Sequence, residues 1–369
     1  MIEVLEWRTD VFKAKAGEQR IALRDAPRRV FNLSHTLTDY QVAGARAVIR
    51  EDQGVNLLRV PDWGQSQRIG AVSAGSSVYI TADLTNVDMG DIGLLWQSDT
   101  LFEEVTVNED STGVFLSTVN NDYTDARLLP VWDCVGPEGL NIQRIGKQIN
   151  QCSIALTTTE NNDLSATTYA QYRGHDVIPD CPLIGGGLDE SIVWQTSEFD
   201  NQQILPYHLR QRNYVDYTFS MSWRYFTPAD IYALRQWLHS RKGRQKAFWL
   251  SSYAHDFEPA ADISGTSLTV FALPGAETIG HSETFDIEIV STAGVSTYRR
   301  VSSATGSTPV DGRNTFLLTL DASFSLSLAN IKRISFMRCA RFDADRIELS
   351  HSAGAGVAVR VPCLEIPVP

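Results

Sequence analysis

Five cysteines, at positions 134, 152, 181, 339 and 363, are the side chains best suited to hold a metal or an iron–sulfur cluster. Structural metal sites bring two thiols within a few residues of each other, whereas the shortest separation here is 18. Burial as small core hydrophobes is the favoured reading, ahead of a disulfide in each half or a cluster. The seven histidines, His239, His255 and His351 among them, show no H-E-x-x-H spacing. His255 and Asp256 fall in a turn, where an Asp is expected to bond backbone N–H groups. There is no G-x-S-x-G elbow, and "IGGG" at 184–187 lacks the Lys and Ser/Thr of a phosphate loop. The carboxylates are scattered, which neither indicates nor rules out a hydrolytic pair. No catalytic, cofactor-binding or metal-binding residue is assigned.

One cationic cluster stands out, "RKGRQK" at 241–246, containing Arg241, Lys242, Arg244 and Lys246. It ends a segment that reads as a complete helix, "FTPADIYALRQWLHSRKG" (226–243). Thr227 is placed to N-cap it, Pro228 suits the first position, Asp230 faces unpaired N–H groups, and Gly243 closes it. Ile231, Leu234, Trp237 and Leu238 recur at helical spacing, so this face is expected to be buried. On that basis Trp237→Ala should destabilise far more than Arg235→Ala.

The segment has a twin 189 positions earlier, "LTDYQVAGARAVIREDQG" (37–54). Thr38 and Gly54 bracket it, and Val42, Arg46, Val48 and Ile49 match Ile231, Arg235, Trp237 and Leu238 in position. The charges near the helix ends differ in sign: Glu51 and Asp52 in the first segment, Arg241 and Lys242 in the second. This opposition marks Glu51, Asp52, Arg241, Lys242, Arg244 and Lys246 as candidate inter-subunit contacts.

Around the two helices the chain reads as strands and turns. A short apolar strand follows each, and then 60–70 residues of short strands with Gly/Ser/Asp turns, at about 70–125 and about 263–330. Cysteine-bearing strands close each half. Proline and glycine concentrate in "YRGHDVIPDCPLIGGGLDE" (172–190), the signature of a linker. The expectation is a mainly β protein with one helix per repeat. A first repeat spans 1–171, a linker 172–190 and a second repeat 191–369, each repeat carrying an inserted small β-subdomain.

The 369 residues are 43% hydrophobic and 21% charged, a folded rather than a disordered composition. A net charge of −12 argues against a nucleic-acid-binding surface, which needs a cationic footprint. The N-terminus has no apolar core of a signal peptide, and no run approaches the length of a membrane span.

"EQRIALRDAPRR" (18–29), the Thr-capped helix ending in Gly, and "GRQKAFWLSSYAHDF" (243–257) resemble the distal tail and baseplate-hub proteins of phages with long non-contractile tails. The resemblance covers the helix–strand core of both halves, about half the chain, and leaves out the inserts. It implies tail-tube-like β-sandwich or barrel domains in tandem, assembled in the host cytoplasm and resident in the virion tail tip. It also implies a trimeric pseudo-hexameric ring, or a hexamer, around a lumen that DNA traverses without specific binding. Tail tube, tape-measure and baseplate or fibre proteins would be its neighbours; no cofactor, enzymatic activity or membrane insertion is implied. A saccharide-binding module of the tail tip is the second reading, and a glycan hydrolase the third.

Overall fold

The computed structural model describes residues 1–367 except 16, 53, 55, 111–112, 167–168, 184–189, 201–206, 212–215, 273–283 and 353–355. It is mainly β, with two α-helices among the described residues. The N-terminal half runs β1 (Ile2–Glu6), β2 (Thr9–Lys13), β3 (Glu18–Ala22), β4 (Arg28–Thr38), α1 (Asp39–Asp52) and β5 (Leu58–Pro61). Then come β6 (Gln67–Val72), β7 (Gly75–Tyr79), β8 (Ile92–Ser98), β9 (Leu101–Asp110), β10 (Gly113–Val119), β11 (Tyr123–Val135), β12 (Leu140–Arg144) and β13 (Ile149–Thr158). After β14 (Gln171–Tyr172) and β15 (His175–Val177), the C-terminal half has β16 (Glu190–Val193), β17 (Thr196–Phe199), β18 (Tyr207–Arg210), β19 (Asp216–Tyr225), α2 (Pro228–Arg241) and β20 (Phe248–Ser251). It closes with β21 (Ser267–Phe271), β22 (Phe285–Ser291), β23 (Ser296–Val310), β24 (Arg313–Leu320), β25 (Ile331–Phe342), β26 (Arg346–Ser352) and β27 (Gly356–Glu365).

The same pairings occur in each half. β4 lies between β1 and β13, β12 flanks β13, and β5 pairs with β11. Likewise β19 lies between β16 and β27, β26 flanks β27, and β20 pairs with β25. Alternation drives this: Tyr217, Phe219, Met221 and Trp223 face inward along β19, and Thr218, Ser220 and Ser222 between them are half-buried on the other face. The halves join where β1 pairs through its second edge with β26. The inserted strands have apolar clusters of their own. One gathers Val72, Leu95, Val105, Leu116 and Tyr123, the other Phe257, Leu268, Ile287, Val301 and Leu318.

Helix α2 starts as its sequence dictates. Thr227 Oγ1 accepts from the Asp230 N–H (3.1 Å) and donates to the Asp230 carboxylate (2.6 Å). It ends with Lys242 and then Gly243 in the left-handed region, at φ 52° and 61°. Leu234, Trp237 and Leu238 are buried in the main cluster with Phe248 and Phe342, and Ile231 packs at its edge. Each such burial contributes roughly 1.5–3 kcal/mol.

The twin helix packs differently. Thr38 and Gln41 form a reciprocal capping box at its start. Val42 is buried, but Val48 is 52% exposed where Trp237 is 2% exposed. The matched inward face is therefore not shared: α1 lies against β4 and β13 with Val42 buried, while α2 buries Leu234, Arg235, Trp237, Leu238 and His239.

Two further expectations need correction. Arg235 does not face solvent; it is as buried as Trp237, because Glu3 from the other end of the chain meets it. Within 172–190, β15 runs parallel to β20, and Val177 and Ile178 are buried, so this part of the stretch is structural rather than a loose linker. Residues 184–189, with the "IGGG" run, lie outside the described residues.

Candidate functional site

The alternation that turns Phe31 inward on β4 also turns Arg29 inward. Its guanidinium lies 4.9 Å from the ring centres of both Phe31 and Trp132. From there Nε donates to Glu3 Oε1 (2.6 Å), Nη2 to Asp62 Oδ2 (2.6 Å) and Nη1 to Asp88 Oδ2 (3.4 Å). The second Glu3 oxygen accepts from Arg235 Nη2 (2.5 Å) and lies 3.0 Å from His351 Nε2. Asp62 also takes the Gly64 N–H and Gln65 Nε2, and Gln65 Oε1 accepts from the Asp88 N–H. Every group is thus held by at least one charge-assisted bond.

Six segments meet here: β1, β4, the turn after β5, the loop before β8, α2 and β26. Burial pushes the Glu3 carboxyl up, but Arg235, Arg29 and His351 outweigh it and hold it well below the carboxylate range. Burial likewise opposes the Arg29 charge, and Glu3, Asp62 and Asp88 more than restore it. Asp88 goes the other way, raised by burial against the pull of Arg29. His239, beside the cluster, is pushed down to about 4 by burial and by Arg29, so it stays neutral and its Nδ1 accepts from the Leu164 N–H. The cavity at the cluster measures about 10 Å³, room for one water and no substrate. What the arrangement does is mechanical: it ties the N-terminal strand pair to the helix and strand of the other half.

The basic run is largely committed within the chain. Arg241 is buried, paired with Asp176 (2.5 Å) and donating to the Ala247 carbonyl (2.7 Å). Lys242 lies 3.6 Å from Asp25, and Arg244 donates to Asp345 and to the Asp343 carbonyl. Lys246 is exposed and lines an open hollow of about 860 Å³ with Glu18, Arg20, His175, Asp176 and Arg241. At the other helix, Glu51 is exposed, and the side chain of Asp52 lies outside the described residues. The structure brings these six residues to two separate helix ends and to no common site.

Cys134, Cys152, Cys339 and Cys363 are buried free thiols, and Cys181 is an exposed one. Within each half they sit on neighbouring strands but not opposite each other: Cys134 faces Thr158, and Cys363 faces Phe342. Burial raises the Cys134 and Cys339 thiols to about 12. Among the described residues, no group of three or more His, Cys, Asp or Glu could hold a metal ion. Asp256 accepts from the Ser252 hydroxyl within its turn and from the Phe336 N–H of β25 (2.8 Å).

The sequence pattern assigns no role to Glu3, Arg29, Asp62 or Asp88, and shows His351 only as a histidine without ligand spacing. One local signal was available, since an arginine two residues before Phe31 on a strand must share its face. Comparison with protein-family models finds no match to this chain, and neither does comparison with curated protein sequences.

Proposed function

We propose that this protein is a structural component of a phage tail tip: two tandem tail-tube-like units per chain, assembling as a trimer into a pseudo-hexameric ring that joins the tail tube to the host-recognition apparatus. The observation that carries this reading is the doubled element order. Strand, hairpin, long strand, helix and short strand run from 2 to 61 and again from 190 to 251, with the same pairings. The ion cluster supports it, because a chain that supplies two ring positions needs its two units held at one angle. The sequence resemblance supplies the setting, with the inserts as docking arms for neighbouring tail proteins and an unobstructed lumen for DNA.

A ring of like units arises when a heterologous contact repeats and its rotation closes. Native mass spectrometry and negative-stain microscopy of the purified chain test this. Three chains in a particle with a central opening are expected, and a stable monomer at micromolar concentration would overturn the proposal.

A further inference from the structure

The N-terminal strand carries a motif that returns 187 residues later: Glu3, Leu5, Trp7, Thr9 and Phe12 recur as Glu190, Ile192, Trp194, Thr196 and Phe199. The two copies hold the same place. On β1, Glu3 is opposite Phe31 and Leu5 opposite Arg29; on β16, Glu190 is opposite Phe219 and Ile192 opposite Tyr217. Each glutamate also bonds the side chain at the same place on that partner strand, Arg29 for Glu3 and the Tyr217 hydroxyl for Glu190.

Their burial is opposite. Leu5 and Trp7 are 1% and 2% exposed, because β1 pairs on its far edge with β26, with Glu3 opposite Leu349 and Leu5 opposite Ile347. Trp7 stands edge-on to His239 of α2 at 5.9 Å, and Thr9 Oγ1 donates to Asp345 (2.9 Å). In the second copy Ile192 is 61% exposed and Trp194 53%, and the far edge of β16 has no strand partner among the described residues. An open strand edge with a row of exposed apolar side chains is a template for strand addition.

The matching receptor is open as well. Cys363 faces Phe219, and four residues back Val359 faces Leu349; Leu156 faces Phe31, and four residues back Cys152 faces Ile142. Ile142 therefore holds the place of Leu349, Leu140 that of Ile347, Arg144 that of His351 and Glu138 that of Asp345. Among the described residues β12 pairs only with β13, and α1, which lies against β13 and β4, is largely exposed where the second half of α2 is buried. Charge agrees: Glu3 is met across the interface by Arg235 and His351, whose counterparts Arg46 and Arg144 are both exposed cations.

We propose that β16 and Trp194 of one copy dock on β12 and α1 of a second copy, repeating between chains the contact that β1 makes with β26 and α2 within one. Glu190 lies opposite Ile142 and Ile192 opposite Leu140, with Glu190 between Arg46 and Arg144 of the second copy. The two faces differ, so the contact is head-to-tail and propagates. It rests on the ring reading only for its closure; the pairing itself stands on the repeated motif.

The test places cysteines at both ends of the contact, Ile192→Cys with Leu140→Cys, in a Cys181→Ser background under mild oxidation. Inter-chain cross-links are expected in the double variant and not in either single one. Trp194→Ala is expected to raise the half-assembly concentration roughly 30-fold, the loss of a buried aromatic anchor. Ile192 and Trp194 are exposed and Leu140 is half-buried, so folding, checked by circular dichroism, should be unchanged. Cross-linked open filaments would support the contact and overturn the ring. A stable assembly with no cross-link and no response to Trp194→Ala would overturn the contact and leave the ring reading standing. Monomers without cross-links would overturn both.

Discussion

Replacing Arg235 by alanine tests the ion cluster directly. The side chain is 2% exposed and bonds Glu3 at 2.5 Å, with Asp62 at 3.9 Å. Breaking a buried pair on one side costs about 3–5 kcal/mol, because the other charge is left desolvated. Glu3 keeps Arg29 and His351, which sets the expected loss near the lower end, about 3 kcal/mol. Trp237→Ala, which empties the space between Trp223, Phe248 and Phe342, should cost about 3–5 kcal/mol. The two variants should therefore lower the urea midpoint by comparable amounts. Arg235→Ala paired with Glu3→Gln should cost less than the sum of the single changes, since the second removes the charge stranded by the first. A negligible shift for Arg235→Ala beside a large one for Trp237→Ala would refute the cluster as a tie between the halves. It would restore the expectation that Trp237→Ala is by far the more costly change.

Acid should loosen the same cluster. Glu3 has a depressed folded pKa, so its contribution is full above the unfolded carboxylate range near 4.3 and is lost as pH falls through the folded value. His239, held neutral with a pKa of about 4, adds a loss that begins as pH falls below roughly 6.5, where the unfolded histidine takes up a proton. Asp88, raised by burial, works in the opposite direction and offsets part of this. Urea midpoints should fall between neutral pH and pH 4, and a flat profile would contradict the assignment. Gly356→Ala should destabilise by more than about 1 kcal/mol, since φ is +71° and a Cβ would lie 2.2 Å from the Tyr225 carbonyl oxygen. Gly44→Ala, mid-helix with open space around it, should stabilise by about 0.5–1 kcal/mol in thermal melts. With a thiol reagent, Cys181 alone should react in the native protein and the other four only on unfolding; a second fast thiol would contradict their burial.

The features legible along the chain are those carried by neighbours in sequence. Thr227, Pro228 and Asp230 begin a helix wherever they stand, because capping is settled within one turn. The short strands of both inserts, the strand–turn after each helix and the buried cysteine strands follow from alternation and turn residues in the same way. The cluster was not legible, since Glu3 and Arg235 are separated by 232 positions and neither has a local reason to be buried. The duplicated N-terminal motif was within reach, but its spacing of 187 differs from the 189 of the helices, and a comparison locked to one offset passes over it.

Local chemistry alone thus settled the mainly β character, the two helices with their starts and ends, and the near-identical order of elements in the two halves. It could not separate Val48 from Trp237, or Trp194 from Trp7, because matched residues in matched local patterns carry the same preferences. Tertiary packing decided between them. β1 had β26 and α2 to lie against within its own chain, whereas among the described residues the far edge of β16 has no strand partner and α1 is largely exposed, and burial is set by what a surface meets rather than by the pattern that built it.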